Sequence, residues 1–178
     1  MRNENHHRVF DPGTKKKAQM KLSFGMIFSI ILIIIFLVFA FYAIKTFLGM
    51  QSSAETGKFL NDLQSDINRI WRSQQASEEQ EYSLPSKIEY ICFIDFSISG
   101  KGQNSGFFDG LERAYYQSEN LVFYPIGSSE IDTQVQMENI DIISIIQDEN
   151  PFCIRNINGK TQVTLIKDFQ DSLVTITR

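Results

Sequence analysis

Histidine is nearly absent from this chain and occurs only as the adjacent pair His6 and His7. Catalytic arrangements of the Ser-His-Asp or Cys-His type need an imidazole beside the nucleophile, and the sequence after residue 7 contains none. Neighbouring histidines without a suitably spaced cysteine or carboxylate rarely hold a metal ion. We therefore predict no catalytic residue, no metal site and no cofactor, and we interpret the first 14 residues as a solvated tail.

Two further segments have only partial likeness to ligand-binding motifs. The Gly-rich "GKGQNSG" (100–106) lacks the Gly-x-x-x-x-Gly-Lys-Ser/Thr spacing of a phosphate loop, and we interpret it as a flexible loop. "DFSIS" (Asp95–Ser99) fits an Asp-x-Ser-x-Ser pattern that resembles the metal-ion-dependent adhesion site of von Willebrand factor A domains. The strand–helix alternation and the later loops of that family are missing here. We interpret the segment as a strand end followed by a turn.

Charged residues are missing from Leu22 to Ile44, where most positions are Ile, Leu, Phe, Val or Met. A helix of this length spans about 35 Å, and the hydrocarbon core of a bilayer is about 30 Å thick. A removable secretory signal has an apolar stretch of roughly 7–15 residues and a small-residue cleavage site after it. The run is longer and the following "YAIKTFLGMQSSAE" offers a poor site. The sequence predicts a retained transmembrane helix, or signal-anchor, over residues 22–45.

The distribution of charge predicts the orientation of this helix. Residues 1–21 contain six basic and two acidic residues, a net charge of +4, whereas the rest contains 11 basic and 19 acidic residues, a net charge of −8. Positive charge flanks the cytoplasmic side of a membrane span, so we predict a cytoplasmic tail (1–21) and an extracytoplasmic location from about residue 46 onward. The acidic outer part has no basic stripe, which argues against nucleic acid as a partner.

The segment after the apolar run has helical periodicity. Apolar residues recur at steps of three and four with polar residues between them, which predicts an amphipathic helix from about Ala54 to Ala76. The polar "SQQASEEQEYSLPS" then predicts a break that ends at Pro85. We assign residues 46–84 to this helix and its linker. The residues that we expect on the apolar side of the helix are Phe59, Leu63, Ile67, Ile70 and Trp71.

Residues 85–178 have the composition of a β-rich domain. Strands are predicted in "KIEYICFIDF", "NLVFYPI", "IDIISII" (140–146, where a short helix is also possible), "FCIRNINGKTQVTLIKDF" and "SLVTITR". Asn158-Gly159 is the preferred pair for a two-residue type I′ hairpin turn. We predict an α+β fold in which the amphipathic helix packs on one mainly antiparallel sheet of about five strands.

The chain has two cysteines, Cys92 and Cys153, and both follow the membrane span. Disulfides persist outside the cytoplasm, and a bridge here would close a loop of about 60 residues and stabilise the fold by roughly 4 kcal/mol. Cysteine is also a frequent small core residue with a free thiol. The sequence leaves both alternatives open.

The leader "KKKAQMKLSF" before the apolar run resembles the leader of type IV pilin-like proteins, and within them the class III type of archaeal pilins. The resemblance implies that a dedicated peptidase cuts between Ala18 and Gln19 on the cytoplasmic side. It also implies a filament subunit whose apolar helices pack together while the sheet domains face outward. Many family members carry Glu at the fifth mature position, where this chain has Ser23.

Three functions are compatible with this organisation. The first is a non-enzymatic, single-pass membrane protein whose outer domain binds or assembles with other membrane or envelope proteins. The second is a pilin-like subunit that self-assembles through its apolar helix after processing at Ala18–Gln19. The third is an anchored metal-binding or hydrolytic domain, because the many acidic residues of the outer part leave a catalytic carboxylate pair open. Membrane lipid is an expected partner in all three.

Overall fold

The structure is a computed structural model that describes residues 23–131 and 134–178. It divides into two units, Met1–Tyr42 and Ala43–Arg178. The elements in chain order are α1 (Phe24–Trp71), β1 (Ala76–Ser83), β2 (Tyr90–Phe93), α2 (Ser105–Ala114), β3 (Leu121–Tyr124), α3 (Ile142–Ile145), β4 (Phe152–Arg155), β5 (Lys160–Lys167) and β6 (Thr175–Thr177). This content confirms the α+β class.

The strands of the second unit form two small antiparallel sheets. The first has the order β1-β5-β6 and the second the order β3-β2-β4. The prediction of a single sheet of about five strands was therefore wrong. The second sheet is buried on both faces: Ile91 and Phe93 point into the larger apolar cluster, whereas Cys92 and Ile94 belong to a smaller cluster beneath α2. Burial on both faces explains why β2 is continuously apolar.

The polar break predicted after α1 is in fact strand β1. All eight of its residues pair with β5, from Ala76 opposite Lys167 to Ser83 opposite Lys160. Only Tyr82 is fully buried, and the other side chains alternate between half-buried and exposed. Charged side chains are frequent on edge strands, where they hinder pairing with another chain, and the exposed positions of β1 face solvent. The strand therefore lacks the apolar alternation by which strands are recognised in sequence.

The turn at Asn158-Gly159 has the predicted form, but the strands on either side diverge. The two residues have φ values of 54° and 79°, as a type I′ turn requires. Ile157 and Lys160 exchange backbone hydrogen bonds of 2.8 and 3.1 Å across it. Beyond that, β4 pairs with β2 and β5 pairs with β1. The turn thus carries the chain from one sheet to the other.

The strand predicted at residues 140–146 is not present, and the short helix α3 stands in its place. Asp141 precedes this helix, and its Oδ1 atom accepts a hydrogen bond of 3.1 Å from the backbone N–H of Ser144. A capping carboxylate satisfies a donor that the helix itself leaves without a partner. The cap therefore favours a helical turn over an extended chain of the same apolar composition.

The core of the second unit combines α1 with both sheets. The larger cluster contains residues of all six strands. Four α1 side chains are fully buried in it, namely Phe59, Leu63, Ile67 and Ile70. Trp71, which was expected on the same side, is 39 % exposed. Its indole N–H donates a hydrogen bond of 3.0 Å to the carbonyl oxygen of Ser172. The Trp71 side chain thus lies at the surface end of α1, with its polar N–H paired and part of its ring open to solvent.

Candidate functional site

The apolar part of α1 is exposed throughout its described length. Every described residue from Ser23 to Leu48 is at least partly open to solvent, and the large side chains include Ile30, Phe36 and Phe39. Soluble monomers rarely expose an apolar surface of this extent. Among the described residues, this is the one helix long and apolar enough to cross a membrane.

One polar side chain of the apolar part of α1, Ser29, finds its partner within the helix. The Ser29 hydroxyl donates a hydrogen bond of 2.8 Å to the carbonyl oxygen of Gly25, one turn earlier. A hydroxyl in hydrocarbon has to find such an internal partner. This bond accounts for the Ser29 hydroxyl without a second helix.

Several predicted features lie outside the described residues. They are the basic tail with His6 and His7, and the leader with Ala18 and Gln19. Of the segments that the pilin resemblance concerns around the proposed cut, the structure describes only α1, which follows it.

Cys92 and Cys153 form a disulfide bond that joins β2 to β4. They lie directly opposite each other in the antiparallel register, with Cα atoms 4.0 Å apart. Both are buried beneath α2, beside Phe108 and Leu111. Bonded cysteines at this position link two strands and help to fill the smaller apolar cluster.

Asp95 and Ser97 form a local turn. The Oδ1 atom of Asp95 accepts hydrogen bonds from the backbone N–H of Ser97 at 2.8 Å and from its hydroxyl at 2.6 Å. The Asn150 side chain donates to the carbonyl oxygens of Asp95 and Ile98, at 2.9 and 2.7 Å. The polar atoms are thus engaged by the turn itself, and the described part of the chain contains no group of three His, Cys, Asp or Glu able to hold a metal ion.

Two carboxylates among the described residues are buried, and both have hydrogen-bond partners within the fold. Glu119 accepts hydrogen bonds from the backbone N–H groups of Tyr116, at 2.6 Å, and Val135, at 3.3 Å. Glu149 pairs with Arg178 and accepts a hydrogen bond of 3.1 Å from the Asn104 side chain. Buried carboxylates with partners of this kind satisfy backbone and side-chain donors of the loops around them.

A cleft lies where the edge of β4 meets the outer face of the first sheet. We call it the β4 cleft; its volume is about 520 Å³ and its lining includes Glu81, Ile154, Arg155, Ile157, Lys160 and Arg178. Arg178 is fixed here by three contacts. It pairs with Glu149, donates to the carbonyl oxygen of Cys153 at 3.1 Å and lies 5.1 Å above the centre of the Phe152 ring.

The β4 cleft was not predicted from the sequence. Ile157 and Lys160 flank the two-residue turn, and Arg155 lies two positions before Ile157, so the sequence already places Arg155 and Lys160 in one neighbourhood. Arg178 lies 18 residues after Lys160 and 23 after Arg155 in the sequence, and the pairing of β6 with β5 brings it to the same place. The sequence could therefore have indicated that Arg155 and Lys160 lie near each other, but it could not have indicated the position of Arg178.

No known protein family, curated protein or solved structure matches this chain.

Proposed function

We propose that this protein is a single-pass membrane protein whose tail, residues 1–21, is cytoplasmic and whose second unit is a small extracytoplasmic binding or assembly domain without enzymatic activity. The observation that carries the proposal is the exposed apolar helix near the N-terminus. Exposed apolar surface is unfavourable in water by roughly 25 cal/mol per Å². Transfer of this apolar helix from water into lipid therefore lowers its free energy.

Two features of the second unit support an extracytoplasmic location. The Cys92–Cys153 disulfide suits an oxidising compartment. The acidic composition after the apolar run, beside a basic tail, suits the positive-inside rule. A cytoplasmic domain would be expected to carry free thiols.

The face of α1 that carries Phe59, Leu63 and Ile67 is buried in the core. This supports the interpretation that the segment after the apolar run is an amphipathic helix and an integral part of the outer domain, not a free linker. In this proposal the anchor and the domain share one helix.

Labelling of intact cells tests the orientation. The thiols of Cys92 and Cys153 are bonded, so an introduced cysteine is the one reactive site. We expect Gln170→Cys to react with a membrane-impermeant maleimide on intact cells and Thr14→Cys to react only after lysis. The opposite pattern would overturn the orientation, and release of the protein by alkaline extraction would overturn the anchor.

A second candidate function is the pilin-like subunit processed at Ala18–Gln19. The observation that favours it is α1 itself, whose first part is apolar and whose second part is built into a small α+β domain. We expect the protein from its native membrane to begin at Gln19 and to appear in filaments sheared from cells. Ala18→Trp should abolish the cut, and Thr14→Ala should leave it intact. An intact leader on the mature protein would contradict this candidate.

A further inference from the structure

The outward edge of β4 has backbone groups without partners. Cys92 and Cys153, with Cα atoms 4.0 Å apart, have the spacing of a non-hydrogen-bonded pair. The N–H and C=O of Cys153 therefore point away from β2. Asn156 confirms this alternation, because its N–H does point towards β2 and donates to the carbonyl oxygen of Glu89 at 2.8 Å. It follows that Arg155 also directs its N–H and C=O away from β2.

One of these edge groups is already engaged, and the others are not. Arg178 donates to the carbonyl oxygen of Cys153. No residue in the described part of the chain bonds the N–H of Cys153 or the backbone N–H and C=O of Arg155. Cys153 is buried, whereas Arg155 is exposed, so the backbone groups of Arg155 are the ones open to an extended chain, with which strand edges pair readily.

The charge beside this edge is positive in a domain that is otherwise acidic. Arg155, Lys160 and Arg178 line the β4 cleft, and among the described lining residues Glu81 is the one carboxylate. Lys160 pairs with Glu81, and Arg178 pairs with Glu149. Arg155 has no carboxylate partner in the described part of the chain and is exposed. Its guanidinium is thus available to bind a carboxylate with two parallel hydrogen bonds.

We propose that the β4 cleft binds an extended peptide segment of another protein, a segment that carries carboxylate side chains at alternate positions. The peptide pairs with the backbone of Arg155 and places its carboxylates on Arg155 and Arg178. Ile157, which is 61 % exposed, offers an apolar contact at the end of the cleft. Alternate side chains of an extended chain face the same way, which sets the required spacing of the acids.

Charge also argues for this occupant over a nucleic acid. Residues 22–178 have 11 basic and 19 acidic residues, so a long polyanion is repelled by most of the surface. A short segment with two or three carboxylates contacts the basic cleft alone. The proposal deepens the proposed function, because it names the kind of partner that the binding domain takes.

Peptide binding by the full-length protein in detergent tests the proposal. The probe is a fluorescent seven-residue peptide of alternating Thr and Glu, and the matched peptide has Gln in place of each Glu. We expect the Glu peptide to bind at low salt and the Gln peptide to bind about tenfold more weakly or not at all. Methylation of the backbone nitrogens that face the strand edge should also abolish binding, because it removes the donors of strand pairing.

Variants of the protein assign the binding to the cleft. Arg155→Gln should weaken binding of the Glu peptide about tenfold. The thermal unfolding temperature should be unchanged, because Arg155 has no carboxylate partner among the described residues. Arg113→Gln, at an exposed position on α2, is the matched control and should bind as the parent does.

Three results would overturn the proposal: equal binding of both peptides, equal effects of the two variants, or a loss of self-association in Arg155→Gln that shows the occupant to be a second copy. None of these results depends on a membrane. The labelling experiment tests the membrane anchor independently, so failure of one proposal can be told from failure of the other.

Discussion

The hydroxyl of Tyr82 donates a hydrogen bond of 2.8 Å to Oδ2 of Asp66 and so joins the edge strand β1 to α1. The other oxygen of Asp66 accepts from Arg69 at 3.0 Å, and Arg69 also contacts both carboxylate oxygens of Glu78, at 2.6 and 2.7 Å. The Tyr82 ring lies edge-on to Phe59, with ring centres 5.5 Å apart. A strand made mostly of polar residues is therefore held by contacts with the helix beside it.

The stability of the domain should fall in alkaline solution because of Tyr82. Burial, aided by the hydrogen bond to Asp66, raises the pKa of Tyr82 well above its ordinary value. Above about pH 10 the unfolded chain loses this proton while the folded chain keeps it. The free energy of unfolding should then fall by about 1.4 kcal/mol per pH unit for each such tyrosine. Urea unfolding between about pH 9.5 and 11 measures the slope.

Two phenylalanine substitutions separate Tyr82 from the other titrating groups. Tyr82→Phe should make the alkaline slope shallower, although it also loses about 1 kcal/mol at neutral pH with its hydrogen bond. Burial also raises the pKa of Tyr115, so part of the slope should remain. Tyr116, which is 64 % exposed, provides the control, and Tyr116→Phe should reproduce the parent slope. An unchanged slope in Tyr82→Phe would refute the assignment.

Substitutions at Ile67 should destabilise the domain more than substitutions at most other positions of α1. It is fully buried in the larger cluster, and replacing a buried isoleucine with alanine costs about 2–5 kcal/mol. We expect Ile67→Ala to lower the unfolding temperature markedly and Ile67→Asp to leave the domain open to protease. Limited proteolysis of the detergent-solubilised protein measures both.

Trp71 and Ser65 supply the comparison for this prediction. Trp71 is partly exposed at the end of α1, so Trp71→Asp should cost less than Ile67→Asp. Ser65 is exposed two residues before Ile67, and Ser65→Asp should be close to neutral. Equal protease resistance of Ile67→Asp and Ser65→Asp would show that the buried face of α1 does not hold the domain together.

The predictable parts of the fold were those with a local cause. The apolar run, the periodicity that contains Leu63 and Ile67, and the positive φ values at Asn158 and Gly159 all follow from short sequence windows. Strand β1 depends on the contacts of Tyr82 and on pairing with β5, some 80 residues away, so its own residues do not reveal it. The β4 cleft likewise depends on Arg178, which long-range pairing brings to its place.

The disulfide should contribute a large share of the stability of the second unit. Cys92 and Cys153 are 61 residues apart in sequence, and closing a loop of that size stabilises a fold by roughly 4 kcal/mol. The double variant Cys92→Ala/Cys153→Ala should lose about that amount in urea unfolding. Reductant should destabilise the parent and leave the double variant unchanged. A parent protein that reductant does not affect would contradict the prediction.

Gly159 should be required for the passage of the chain between the two sheets. Its φ of 79° lies in the left-handed region, and a Cβ atom there would meet the carbonyl oxygen of Leu84 at 3.2 Å. The left-handed conformation costs a residue with a Cβ about 1–2 kcal/mol, so Gly159→Ala should lower the unfolding temperature. Asn158→Gly is the matched control, because glycine adopts the φ of 54° at that position without steric cost. If the two variants melted at the same temperature, the turn would not depend on the conformational freedom of Gly159, and the divergence of β4 and β5 would have to be fixed by the sheets alone.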